Sequence, residues 1–247
     1  MSKHLVRNTV LATVTVLLFY FAQGAAVVMG QLEGLKAITA QAAIIWSCAL
    51  VAIAFFLVKD HSLRGLGFQK PVSGMATRFL YYVPLIIVAL AAFAGGIMSD
   101  DSGLFIPNLI FTLGIGLTEE LYFRGIICNM WKEKETKAII ISSVLFGMSH
   151  LLNVMGGAGL AETLLQMAFA FTYGVVMAFV ILRTKSIWPC ILLHAFHDFC
   201  GFITNEGDMK LNIIVGTIQF AVLLAYCIYL LVKIRWTLIY KTGKSNV

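Results

Sequence analysis

The chain of 247 residues is 60% hydrophobic and only 12% charged, which is about half the charged fraction of an average soluble domain. Its 18 basic and 12 acidic residues are too few to cover the surface of a soluble fold of this size. The composition therefore excludes a water-soluble domain and indicates that the lipid bilayer is the solvent. In that setting the net charge of +6 reports membrane orientation and does not predict a nucleic-acid partner.

Eight apolar stretches approach the roughly 20 residues that a helix needs to cross about 30 Å of hydrocarbon. The sequence therefore predicts an all-α, polytopic membrane helix bundle with about eight transmembrane helices. The fifth stretch is short, and the fourth is long enough to tilt or kink. The stretches cover residues 8–29, 38–58, 77–98, 104–131, 137–152, 160–182, 186–204 and 211–233.

The positive charges are divided unevenly between the loops that connect these stretches. Eight crossings place 15 of the 18 Lys and Arg residues on one side of the membrane, Lys3 and Arg7 among them. Only Lys36 and Lys210 fall on the other side. Because cytoplasmic loops carry an excess of Lys and Arg, both termini are predicted to be cytoplasmic.

The chain shows no internal repeat, low-complexity tract or separable soluble domain, so residues 1–247 are interpreted as a single transmembrane domain. Residues 1–103 supply helices without motifs, residues 104–204 carry all the motifs described below, and residues 205–247 form the last helix and a cytoplasmic tail. The first helix is interpreted as retained and not as a cleaved signal. The five scattered cysteines are typical of buried packing residues and predict no disulfide framework.

Seven ionisable residues lie inside the apolar stretches, away from both rims. An ionised group at a helix centre costs about 2.5–3.5 kcal/mol on insertion scales. These side chains must therefore pair, lose their charge or face a wet cavity. They are Glu119, Glu120, Arg124, His150, His194, His197 and Asp198.

The spacing of these residues indicates how some of them pair. Glu120 and Arg124 are four residues apart, as are His194 and Asp198, so each pair shares one face of a helix. Glu119 lies about 100° around the helix from Glu120 and is free to face a different partner.

The depth of these residues in the membrane points to one site. At about 1.5 Å per residue from the cytoplasmic helix ends, Glu120, His150 and Asp198 lie about 17, 20 and 18 Å deep, and His194 lies about 12 Å deep. Three helices thus carry polar groups at similar heights. A single polar site between the fourth, fifth and seventh helices is predicted.

Two interpretations of such a site are open. A structural ion-pair network explains Glu120 with Arg124, but it leaves a second carboxylate and two histidines without a role. Alternatively, a carboxylate and imidazoles in a partly buried cavity activate water for attack on a carbonyl, directly or through a metal such as zinc. The sequence lacks the HExxH motif of zinc proteases and does not settle whether a metal takes part.

Two further residues have competing interpretations. Cys190 lies four residues before His194, which is the spacing of a nucleophile and its base on one helix face, although a packing cysteine is favoured. Only Asp198 is available to orient such a dyad. His197 is favoured as a helix-packing residue.

Three short motifs together resemble a known family. Residues 119–124 read EELYFR and match EExxxR, residues 146–150 read FGMSH and match FxxxH, and residues 194–198 read HAFHD and resemble HxxxN or HxxxD. In this order, on separate helices and with Trp188-Pro189 before the third motif, they resemble the CPBP family of intramembrane proteases. That family includes the type II CAAX prenyl endopeptidases and bacterial bacteriocin-processing or self-immunity proteins.

The resemblance implies a role for each motif residue. Glu119 would act with His150 to hold and activate the hydrolytic water, and Glu120 with Arg124 would shape the site. His194 and Asp198 would stabilise the oxyanion. If a metal such as zinc is used, its ligands would be Glu119, His150 and His194.

The resulting functional prediction is an intramembrane endopeptidase of a bacterial cytoplasmic membrane. Its partners would be the lipid bilayer and a peptide or small membrane-associated protein as substrate, in peptide or bacteriocin maturation or self-immunity. The first alternative is a non-catalytic immunity or scaffold protein of the same fold. The second is a proton-coupled transporter, for which repeated halves and broken helices are not evident.

Overall fold

The computed structural model describes residues 3–72, 79–98, 102–155, 157–205 and 209–243, and within these ranges it contains helices and no β-strand. The predicted all-α membrane bundle is confirmed. Its α-helices are α1 (Lys3–Gly30), α2 (Gly34–Asp60), α3 (Val83–Leu90), α4 (Phe105–Glu120), α5 (Glu135–Ser149), α6 (Leu160–Thr184), α7 (Trp188–Phe202) and α8 (Met209–Gly243).

Not all of these helices are long enough to cross a membrane by themselves. Five described helical segments have both the length and the hydropathy of a transmembrane span: Lys3–Gly30, Gly34–Asp60, Glu135–Val154, Leu160–Thr184 and Lys210–Lys233. α4 and α7 have only 16 and 15 residues. The count of eight crossings and the cytoplasmic termini stay predictions.

The third predicted span, residues 77–98, is not one continuous helix. α3 has only eight residues and lies between two short 3₁₀-helices, Phe79–Tyr81 and Ala91–Gly95. Pro84 is in the first turn of α3, where its missing N–H costs no helical hydrogen bond. Gly96, with a φ of +83°, ends the second 3₁₀-helix in a conformation that favours glycine. Residues 77 and 78 lie outside the described ranges.

The helices that carry the motifs pack directly on one another. α4 lies between α2 and α7, and α5 packs on α6. α4 and α7 approach so closely that a Cβ atom on Gly116 would lie 2.9 Å from both the Ala195 nitrogen and the Ile191 oxygen. The absence of a side chain at Gly116 therefore allows the first and third motifs to meet.

One end of the bundle collects the basic loops, and we call it the basic end: residues 61–72, 129–134 and 185–187. Gln69 Nε2 donates a hydrogen bond to the Lys185 carbonyl at 2.9 Å. Trp131 Nε1 donates to Thr9 Oγ1 at 3.0 Å and fixes the start of α1 to the same end. The loops that the charge pattern assigns to one side are thus neighbours in space.

The other end of the bundle is formed by residues 31–33, 96–98, 150–155 and 203–205, and we call it the opposite end. The Met98 N–H donates to the Ile203 carbonyl at 2.9 Å. Asn153 Nδ2 donates to Gln166 Oε1 at 2.7 Å and connects the 3₁₀-helix after α5 with the first turns of α6. These contacts connect neighbouring elements at the end that holds few basic residues.

Candidate active site

The first motif lies where the winding of its helix changes. α4 ends at Glu120, and residues Leu121–Cys128 continue it as a π-helix. Such π-helical turns are rare and frequently occur at functional sites. The wider turn keeps Glu120 and Arg124 together, with Oε1 of the carboxylate 3.1 Å from Nη1 of the guanidinium. Their four-residue spacing therefore does produce an ion pair.

Glu120 also links the first motif to the third. His194 Nδ1 donates a hydrogen bond to the same Oε1 atom of Glu120, at 2.7 Å. Glu120 and Arg124 are completely buried, and His194 is nearly so. An uncompensated buried charge is strongly destabilising. The Glu120 carboxylate therefore compensates the buried charge of Arg124 and at the same time accepts the hydrogen bond of His194.

Glu119 and Asp198 lie on the other side of the same imidazole. Nε2 of His194 is 3.4 Å from Oε2 of Glu119 and 3.6 Å from Oδ2 of Asp198. Both carboxylate side chains retain some exposure, 11% and 20% respectively. Glu119 thus differs from its neighbour Glu120, because it faces a cavity and Glu120 does not.

His150 reaches the site from the end of α5. It begins the 3₁₀-helix His150–Val154, and its Nδ1 lies 3.0 Å from the carbonyl oxygen of Phe146. A carbonyl oxygen only accepts hydrogen bonds, so in the neutral imidazole Nδ1 carries the proton and Nε2 keeps its lone pair. His150 can therefore accept a proton at Nε2.

Phe146 is the apolar centre around which the charged groups are arranged. The Arg124 guanidinium carbon lies 4.2 Å from the centre of its ring, close enough for a cation–π contact. The rings of His150 and His194 meet it nearly perpendicularly, at centroid distances of 5.1 and 5.7 Å. The first residue of the FxxxH motif thus separates the two histidines and covers the buried cation.

Four of the predicted site residues line one cavity of about 1010 Å³: Glu119, His150, His194 and Asp198. Glu120 and Arg124 do not reach it and form the layer behind it. The predicted single polar site between the fourth, fifth and seventh helices is therefore present as a spatial cluster. The catalytic roles of its members stay predictions.

The cavity also contains residues that sequence reasoning missed. Tyr20 and Gln23 of α1 and Gln41 and Ile45 of α2 belong to its wall. They lie in the part of the chain without motifs, and no spacing or charge marked them. α2 is held against α4 by a hydrogen bond of 2.9 Å from Thr118 Oγ1 to the Ile45 carbonyl.

The competing interpretations of Cys190 and His197 are resolved by their contacts. Cys190 Sγ is buried and points to the Met177 carbonyl at 3.6 Å, while the neighbouring His194 Nδ1 is engaged by Glu120. His197 stacks on Phe169 at a centroid distance of 5.3 Å and is not part of the cavity wall. Both are packing residues, as favoured from the sequence. All five cysteines are free and buried.

The donor groups do not present a metal site. Among the residues described, no three His, Cys, Asp or Glu side chains converge on a position that could hold a metal ion. Nε2 of His194 and Oε2 of Glu119 are 3.4 Å apart, about the separation of two ligands that bind one zinc ion at about 2.0–2.2 Å. Among the described residues no third donor completes such a group as the side chains are placed here. The zinc ligand set of Glu119, His150 and His194 stays a prediction.

Fold and site together define a polytopic membrane protein with a buried carboxylate–imidazole cavity of the kind found in hydrolases. Residues 101–200 match the family described as type II CAAX prenyl endopeptidase Rce1-like. A curated relative, the probable CAAX prenyl protease 2 of Schizosaccharomyces pombe (strain 972 / ATCC 24843), is 30% identical over 105 residues. The resemblance inferred from the three motifs is thereby confirmed for residues 101–200, the part of the chain that is similar to CAAX prenyl endopeptidases.

The similarity is confined to part of each protein. The alignment covers 38% of this chain and 39% of the fission-yeast protein. The matched segment includes all three motifs and leaves out α1 and α2, which supply part of the cavity wall. Part of the cavity wall thus lies outside the segment that matches the family.

Proposed function

We propose that the chain is an intramembrane endopeptidase that hydrolyses a peptide bond in a membrane-associated peptide or small protein. The proposal is supported by the family membership of residues 101–200. It extends that membership to an activity, with Glu119 and His150 activating the attacking water.

The observation that carries the proposal is the division between two adjacent glutamates. Glu120 is buried with Arg124 and His194, whereas Glu119 lines the cavity that His150 also lines. A purely structural ion-pair network needs the first arrangement and not the second. A carboxylate and an imidazole in the wall of one cavity are suited to general-base chemistry.

The reaction follows from these positions. Glu119 and Nε2 of His150 orient a water molecule and accept one of its protons while its oxygen attacks the carbonyl carbon of the peptide bond. The tetrahedral intermediate then collapses, the C–N bond breaks and the accepted proton passes to the leaving amine. Water and the peptide are the only reactants, and atoms and charge balance.

His194 is placed to stabilise the negative charge that develops on the carbonyl oxygen. Glu120 holds its Nδ1–H and so directs Nε2 into the cavity. A protonated Nε2 would donate to the oxyanion from a fixed position, which is the usual source of oxyanion stabilisation. Asp198, 3.6 Å from Nε2, would help orient the ring, because an ionised carboxylate repels an oxyanion.

The proposed substrates are peptides matured at the membrane, such as bacteriocin precursors, in a bacterial cytoplasmic membrane. Comparative peptidomics of membranes that contain the protein or its Glu119→Ala variant tests the activity. We expect one or more cleaved peptides to be lost in the variant at equal protein abundance. An unchanged peptide profile would contradict the proposal. Full protection of cells against a bacteriocin by a Glu119→Gln, His150→Ala double variant would favour the alternative, a non-catalytic immunity protein.

A further inference from the structure

The described wall residues of the cavity that holds the candidate site extend from the site toward one end of the bundle. The wall residues beyond the site lie in the last turns of α1, the first turns of α2 and α6, and the segment after α5. Examples are Val28 and Met29 of α1, Asn153 and Met155 of the segment after α5, and Gln166 of α6. All of these segments belong to the opposite end of the bundle, away from the basic loops.

The path from the basic end is closed by a packed layer. A separate cavity of about 410 Å³ at that end is lined by Arg64, Lys132 and Lys185 and reaches Arg124, but it contains none of the four site residues that line the larger cavity. Between the two cavities lie Glu120, Arg124 and Phe146, each with 2% exposure or less. A substrate at the basic end would have to break this buried ion pair to reach Glu119.

The charge distribution assigns these two ends to the two sides of the membrane. By the positive-inside rule the basic end is cytoplasmic. The depth of the site is compatible with access from the opposite end, because His150 and Asp198 lie about 20 and 18 Å, and His194 about 12 Å, from the cytoplasmic helix ends in a core about 30 Å thick. The site is therefore close to the middle of the membrane.

The chemistry of the cavity wall indicates what enters it. None of the described wall residues is Lys or Arg, so the wall beyond the histidines of the site holds no cation to bind a free carboxylate. The polar groups above the site are carboxamides, Gln23, Gln41, Asn153 and Gln166, and the remainder of the wall is largely apolar. Amide side chains bind a peptide backbone without selecting a charge.

We infer that the proposed protease receives its substrate from the non-cytoplasmic side of the membrane, as an uncharged, apolar peptide segment and not as a free C-terminal carboxylate. That the bound peptide is a substrate rests on the proposed function. The direction of access rests only on the cavity and on the distribution of charges.

Cysteine labelling of the full-length protein in its membrane tests the direction of access. Gln166→Cys places a thiol at the cavity mouth, and the matched control Glu133→Cys places one at the cavity of the basic end without removing a Lys or Arg. Both native side chains are exposed, and the five native cysteines are buried, so the unsubstituted protein serves as the blank. The reagent is a charged, membrane-impermeant maleimide.

We expect Gln166→Cys to be labelled in intact cells and Glu133→Cys only in inverted vesicles. Labelling of Gln166→Cys only in inverted vesicles, or from neither side while Glu133→Cys reacts, would overturn the inference. No hydrolysis is needed for this measurement. An inactive protein with the expected labelling would therefore refute the proposed function and leave the direction of access supported.

The class of peptide is tested with matched pairs of uncharged, apolar peptides that differ only in a free or an amidated C-terminus. The purified protein should hydrolyse the amidated peptide at least as fast as the free acid. A preference of about tenfold or more for the free acid, which is the effect of one charge-assisted hydrogen bond, would contradict the inference.

Discussion

Glu120 and His194 are joined by a hydrogen bond of 2.7 Å between Oε1 and Nδ1, although 74 positions separate them in the sequence. The bond connects α7 to the end of α4, where the π-helix begins. It fixes one nitrogen of the imidazole and directs the other into the cavity. The Glu120 carboxylate thus has three roles. It connects α4 with α7, it forms the ion pair with Arg124, and it orients His194, a proposed catalytic group.

Glu119→Gln is expected to reduce the rate of hydrolysis by about 10²–10⁴-fold, the usual contribution of a general base. The amide keeps the volume of the carboxylate and removes its ability to accept the proton of water. The measurement is kcat on a cleaved peptide, at equal amounts of folded protein. Glu33→Gln, an exposed glutamate before α2, is the matched control and should leave kcat unchanged. Equal rates for both variants would remove Glu119 from the mechanism.

Glu120→Gln is expected to destabilise the fold in addition to reducing activity. The substitution leaves the fully buried Arg124 without its counter-charge, and breaking a buried ion pair in this way costs about 3–5 kcal/mol. The thermal unfolding temperature in detergent should fall well below that of Glu119→Gln. If the two variants unfold at the same temperature, the assignment of separate roles to the two glutamates is wrong.

Gly116→Ala is expected to weaken the contact between α4 and α7. The new methyl group would lie 2.9 Å from two backbone atoms of α7, which cannot move aside as a flexible side chain can. Overpacking of this kind costs about 1–3 kcal/mol. Gly216→Ala in α8 is the control, because nothing lies within 4 Å of its added carbon. Thermal unfolding should separate the two variants, and a Gly116→Ala protein as stable as the control would show that the helices can separate without cost.

Cys190→Ala is expected to retain hydrolysis, whereas His194→Asn should lose it. The Cys190 thiol is buried against the Met177 carbonyl and is not part of the cavity wall. Its loss removes a packing group and no reacting atom. Thiol-alkylating inhibitors should likewise leave the rate unchanged. Inactivation by Cys190→Ala at normal protein abundance would restore the cysteine nucleophile as a candidate.

Hydrolysis is expected to continue in the presence of strong chelators. Among the described residues no three donors converge on a metal position. Metal analysis of the purified protein together with peptide hydrolysis before and after chelation provides the check. One bound zinc per chain, whose removal abolishes the activity and whose return restores it, would show that the site rearranges around a metal.

The parts of the fold that could be predicted are those governed by composition and local spacing. Long apolar stretches predicted the helices because a backbone in lipid must satisfy its own hydrogen bonds. The third stretch was predicted as one span and is broken, since proline and glycine act on the backbone within an otherwise uniform apolar pattern. The similar depths of Glu120, His150 and Asp198 predicted one polar site on the assumption of a uniform helical rise. The π-helix Leu121–Cys128, across which the depth of Glu120 is counted, departs from that rise and could not be predicted from the apolar pattern.

The sequence by itself determined that this protein is a membrane helix bundle with seven ionisable residues in its apolar spans, and that residues 101–200 resemble CAAX prenyl endopeptidases. Only the tertiary structure decided that Glu119 faces the cavity while Glu120 is buried with Arg124 and His194, and that Tyr20 and Gln41 complete the wall. Spacing relates residues on one helix, whereas partners on different helices depend on how those helices pack. The opening of the cavity at the opposite end of the bundle depends on that packing in the same way.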